Sequence, residues 1–185
     1  MNHKVFELTE NLDILTDQNL TFKEFCLFGV KLFDDVNSIN MKIITSTRME
    51  SLPENSNNWS LDENEKVYIF QNNVKREFKL CERIESVINN SGRLFTFEKY
   101  GYGIKNRKVV EFIIPEYRIK NFKIVNRKNI EFKFGKPDLK KEDYDYQHGE
   151  LMSTYYFYES KKMKIELDEL DNEINFIFLG EELKK

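Results

Sequence analysis

The chain has 185 residues, with 29 Lys and Arg set against 32 Asp and Glu for a formal charge of −3, and 40% of its residues are hydrophobic. A chain of that length can bury about 70% of its unfolded surface, so a hydrophobic core suffices without disulfides or a structural metal. The longest uninterrupted apolar runs reach four residues, as at Phe176 to Leu179, against the roughly 20 that a membrane-spanning helix needs, so no membrane partner is expected.

The opening segment places Lys4, Glu7, Glu10 and Asp13 where a signal peptide requires an apolar stretch, which predicts a cytoplasmic protein. Cys26 and Cys81 each fall in an apolar-periodic stretch and read as two buried thiols in a reducing compartment. Thr21-Phe22-Lys23-Glu24 has the chemistry of a capping box, a hydroxyl for one backbone N–H and a carboxylate for the other. Phe22, Phe25, Cys26, Gly29, Leu32, Phe33 and Val36 follow at helical spacing, which predicts an amphipathic helix over about 22–37. Met41 to Thr45 and Val67 to Phe70 read as strands. Between them a polar loop, Glu50 to Asn58, ends at Trp59, and Ser60-Leu61-Asp62-Glu63 could open a helical turn. Val74, Phe78, Cys81, Ile84 and Ile88 predict a second helix over about 74–89, stopped by Asn89-Asn90-Ser91-Gly92.

From Arg93 onward the period changes from 3.6 to 2. Strands are predicted over 93–100, 108–114, 117–125, 129–134, 150–158, 162–167 and 174–179, with Ile130, Phe132 and Phe134, and Met163, Ile165 and Leu167, as the cleanest alternations. Short connections, at Pro115-Glu116 and Asn126-Arg127-Lys128 among others, predict a meander of antiparallel hairpins. Pro137 to Gly149 reads as a charged, tyrosine-bearing loop, a place where a rigid sheet presents variable chemistry. The expected fold is α+β, in a single domain over 1–185: a large antiparallel sheet packed against the two amphipathic helices.

The chain contains no alanine, and Asn, Lys, Ile and Phe are abundant. Alanine codons are GC-rich, so this composition suggests an AT-rich coding sequence of a low-GC bacterium or its phage. Charge is segregated: −6 over Met1 to Lys66, +10 over Val67 to Lys141 and −7 over Glu142 to Lys185. A basic middle of this kind either contacts an anionic partner or complements the chain's own acidic ends. Asn106-Arg107-Lys108 and Asn126-Arg127-Lys128 open copies of one pattern, N-R-K-x-x-E-F, twenty residues apart. In a meander both would turn at one end of the sheet. Arg107, Lys108, Arg127 and Lys128 would then form a basic rim for phosphates, with Tyr100 and Tyr102 available to stack on bases.

Other chemistry is thinner. Asp138, Glu159 and Lys161 fit the P-D…(D/E)-x-K spacing of metal-dependent nucleases, where two carboxylates hold a cation and the lysine steadies the attacking water. His148, beside Gly149 and Glu150, could serve as a general base, but no nucleophile has a recognisable elbow near it. With only two histidines a zinc site is not expected, and the glycine signatures of nucleotide loops are missing. The reading is a non-catalytic binding protein without cofactor or metal. It would be a small inhibitor of the toxin-immunity or phage counter-defence type, presenting Asp143, Tyr144, Asp145, Tyr146 and Glu150 to a protein partner. Nucleic-acid binding through the basic rim is the alternative, and metal-dependent nuclease activity a more distant one.

Overall fold

The structure is a computed structural model that describes residues 4–52, 56–62, 64–116, 118 and 127–180. Its strands are β1 (Phe6–Glu7), β2 (Phe25–Leu27), β3 (Val30–Lys31), β4 (Ile44–Met49), β5 (Asn58–Leu61), β6 (Val67–Gln71), β7 (Val74–Phe78), β8 (Gly92–Thr96), β9 (Gly101–Lys105), β10 (Lys108–Pro115), β11 (Leu139–Tyr144), β12 (Leu151–Tyr158), β13 (Met163–Asp168) and β14 (Glu173–Gly180). Helix α1 spans Leu80–Asn89 and α2 spans Arg127–Phe134. Eight strands form an antiparallel sheet in the order β11-β12-β13-β14-β10-β9-β8-β4, and β1-β2-β3 and β5-β6-β7 form two small sheets. The class is α+β with a large antiparallel sheet. No described helix is long and apolar enough to cross a membrane.

Two compact units divide the chain, residues 1–34 with 110–185, and residues 35–109. In the first, the register Tyr156↔Ile165↔Ile177 places these residues on one face of β12, β13 and β14. Alternation adds Tyr158, Met163, Leu167 and Leu179 to that face, and all seven are buried. Helix α2 buries Ile130 and Phe134, one turn apart, and sets the Phe134 ring 6.0 Å from Tyr158. Leu15, from a 3-10 turn at Leu12–Thr16, is buried in the same unit, and its carbonyl accepts the Lys161 ammonium. Across the sheet, Lys164 lies 4.3 Å from the Phe178 ring centre and 5.3 Å from that of Tyr155, a cation resting on aromatic faces. In the second unit, β5-β6-β7 buries Val67, Ile69 and Phe78 with Met49 against them, and α1 buries Val87.

Several expectations are corrected. Residues 22–37 do not form a helix. The Thr21–Glu24 capping box is present, with the Thr21 N–H 2.7 Å from Glu24 Oε2, but it closes a 3-10 turn of three residues. Phe28 and Gly29 then take φ of 49° and 77°, a two-residue turn that makes 25–31 a hairpin. The second helix begins at Leu80, because Asn72 and Asn73, at φ 50° and 64°, fold β6 back onto β7. Cys26 is buried as expected, whereas Cys81 is exposed. Residues 129–134 are helical, and Phe132, 87% exposed, lies off the buried Ile130 and Phe134 stripe. Pro137 to Gly149 is not a loop throughout, because Leu139–Tyr144 within it forms strand β11. Met41–Ile43 is a 3-10 turn ahead of β4, and Leu61 ends a strand where a helical turn was expected. The strand expected over 117–125 falls almost wholly outside the described residues.

Candidate functional site

Strand β11 is an edge of the large sheet, bonded on one side to β12 through the register Leu139↔Phe157 to Tyr144↔Leu151, and all six of its residues are exposed. The register slips between Asp143 and Tyr144, which pair with Ser153 and Leu151, so Met152 is an extra residue and the bulge lies on β12. The connection to β12 is closed by the Asp145 N–H to the Glu150 carbonyl at 2.7 Å and the Gly149 N–H to the Asp145 carbonyl at 2.9 Å. Gly149 has φ 69°, a left-handed backbone that glycine adopts without strain.

The turn is held from inside by Asp145. Its Oδ2 accepts the His148 backbone N–H at 2.9 Å and meets His148 Nδ1 at 2.7 Å. The His148 ring, followed by the N–H groups of Gln147 and His148, holds the Asp145 carboxyl below the usual range. At the root of the hairpin, Tyr144 donates its hydroxyl to Glu142 Oε2 at 2.5 Å. That bond is the main influence lowering Glu142 and raising Tyr144 from their ordinary pKa values. Tyr146 projects from the turn with its whole surface in solvent, 101% of the reference exposure, while Tyr144 is 53% exposed.

Charges on α2 brace the stem of the hairpin. Arg127 bonds Glu142 Oε1 at 3.1 Å and lies 3.7 Å from Glu169 Oε2, and Lys140 bonds Glu131 at 2.7 Å while sitting 4.9 Å from the Tyr156 ring centre. Glu169, whose side chain is 11% exposed, also accepts the Thr154 hydroxyl. The Tyr156 hydroxyl is buried with no hydrogen-bond partner among the described residues. Sequence reading missed this brace, since no spacing rule links 127, 142 and 169. The lock at Asp145 did carry a signal, an Asp three residues ahead of a His and four ahead of a Gly, which is turn chemistry.

The two N-R-K copies take different local structures. Asn106 and Arg107, at φ 49° and 59°, make the two-residue turn between β9 and β10, and Lys108 lies 3.9 Å from Asp35. The second N-R-K copy opens helix α2 at Arg127 and Lys128, so one pattern serves a turn and the other a helix. Tyr100 and Tyr102 are fully buried and beyond the reach of a base. As for the nuclease spacing, Asp138 Oδ2 accepts the Glu159 N–H at 2.7 Å, and Lys161, 2% exposed, is turned to the Leu15 carbonyl. Burial lowers the Lys161 pKa. Among the described residues no group of three or more His, Cys, Asp or Glu side chains is arranged to hold a metal ion. Comparison with known proteins finds no matching family model, no matching curated protein and no matching solved structure.

Proposed function

We propose that the protein is a non-catalytic inhibitor, of the toxin-immunity or phage counter-defence type, that neutralises a cytoplasmic protein partner through the β11–β12 hairpin. The observation that carries this reading is Tyr146, wholly exposed on a turn already fixed by Asp145. A tyrosine offers a large contact area for few rotatable bonds, and a preformed turn loses little entropy on docking. Asp143, Asp145 and Glu150 flank it in the sequence, and carboxylates favour a basic protein surface over a phosphate backbone.

The test is capture from the native host with the full chain as bait, followed by mass spectrometry. Wild type is expected to retain one protein stoichiometrically, and the double substitution Tyr144→Ala with Tyr146→Ala to lose it. Equal retention by both baits, or nucleic acid as the captured species, would refute the reading.

A further inference from the structure

We propose that β5 is a self-pairing edge, through which two copies of this chain join antiparallel with the dyad at Ser60. The phase of the β5–β6 ladder makes this specific. The Asp62 N–H bonds the Lys66 carbonyl at 3.2 Å, and in the register Asn58↔Phe70 to Leu61↔Val67 that phase makes 60/68 and 58/70 the pairs that exchange backbone bonds. Trp59 and Leu61, between them, turn their N–H and C=O groups away from β6 toward the open edge. The Trp59 N–H accordingly bonds, among the described residues, the side chain of Asn58, at 2.8 Å.

A second copy running antiparallel supplies what this edge lacks. Trp59 opposite Leu61 of the second copy, and Leu61 opposite its Trp59, give four backbone hydrogen bonds, with Ser60 facing Ser60 in the non-bonded pair between them. The side chains agree with that register. Trp59 and Leu61, 43% and 59% exposed, lie on the same face as the buried Ile69 and Val67. Pairing sets the indole of one copy beside the leucine of the other and extends the apolar face across the dyad.

Charge selects a second copy over a charged strand. Proteins guard exposed edges with ionic side chains, and among the described residues the other edge strands carry them: Glu7 on β1, Lys31 on β3, Arg48 on β4, Lys75 on β7 and Lys140 on β11. Strand β5, Asn-Trp-Ser-Leu, has none. The antiparallel register places Asp62 of one copy opposite the neutral Asn58 of the other, so no like charges meet. A contact of four residues per copy is far smaller than the roughly 1,200 Å² of a stable interface, which makes this a weak association with an onset at about 0.1 mM.

Cross-linking tests the register directly. In a Cys81→Ser background, Ser60→Cys places two thiols across a non-bonded pair with Cα atoms about 4.5 Å apart, a separation that a disulfide spans. Mild oxidation at about 0.2 mM protein is expected to yield a covalent dimer from Ser60→Cys and none from Leu61→Cys, whose copies lie a further two residues apart along the strand. In sedimentation velocity the wild-type coefficient should rise with concentration, and Trp59 emission should shift to the blue in parallel. Ser60→Lys, which sets like charges face to face on the dyad, should abolish both effects while preserving the far-ultraviolet circular dichroism. Equal cross-linking at positions 60 and 61, no cross-linking at 60, or a wild-type monomer throughout the concentration range would overturn the proposal.

Discussion

Glu7 is the side chain on which the first small sheet depends most. Its Oε1 accepts the Phe28 N–H at 2.9 Å, the Thr9 N–H at 3.1 Å and the Thr9 hydroxyl at 3.0 Å, and its Oε2 accepts the Gly29 N–H at 2.8 Å. Two of those donors are the left-handed residues of the β2–β3 turn, and Phe28 adopts that backbone at a steric cost. Partial burial pushes the carboxyl up, but the N–H groups of Gly29, Thr9 and Phe28 outweigh it and hold the pKa below the usual carboxylate value. Backbone bonds to a charged group contribute about 1.5–3 kcal/mol each when dry, and solvent screening at this half-buried site roughly halves that. Glu7→Ala should therefore destabilise by about 3 kcal/mol, a fall in Tm of about 6–12 °C. Because the folded pKa is depressed, the ionic part is present in full above the unfolded carboxylate value, about 4.3, and is lost as pH falls through the folded one. Urea unfolding followed by circular dichroism at pH 7 and pH 3 measures both parts. Glu7→Gln should trail wild type at pH 7 and converge on it in acid; an unchanged midpoint at pH 7, or a gap of equal size at both pH values, refutes the account.

Three further outcomes follow from the packing and the turn. Tyr156→Phe removes a buried hydroxyl without a described partner, so it should leave stability unchanged or raise it by up to about 1 kcal/mol in the same urea assay. Gly180→Ala should cost about 2–3 kcal/mol, because a Cβ there would lie 2.1 Å from the Val110 carbonyl and 2.8 Å from the Glu111 Cα; thermal unfolding will show it. Asp145→Ala removes both of its bonds to His148 and should speed amide exchange at His148 and weaken partner binding about tenfold, while the global unfolding midpoint stays within about 0.5 kcal/mol of wild type.

Strands with one dry and one wet face were legible from sequence. Met163, Ile165 and Leu167 alternate with polar neighbours and are fully buried, and β12 and β14 lie within a residue or two of their expected ends. Periodicity failed where two patterns share the same apolar residues. Ile130, Phe132 and Phe134 fit a strand, yet Ile130 and Phe134 alone also fit one helical turn, and tertiary packing chose the helix. Around Phe25 to Val36 the helical spacing is equally satisfied by two short strands, and the deciding feature, a left-handed Phe28 before Gly29, depends on the distant Glu7 carboxylate. The candidate site followed the same division. The exposed tyrosines and carboxylates of 143–150 could be named from composition, but the edge strand and turn that carry them and the brace from Arg127 required three-dimensional contacts.

The proposed engagement of a protein partner by the hairpin tipped by Tyr146 is tested by calorimetric titration of the captured partner against wild type and Tyr146→Ala. An anchor at the centre of an interface contributes at least about 2 kcal/mol, so Kd should rise about thirtyfold or more, with the unfolding midpoint of the free protein unchanged. An unaltered Kd would contradict the assignment of this hairpin as the binding site.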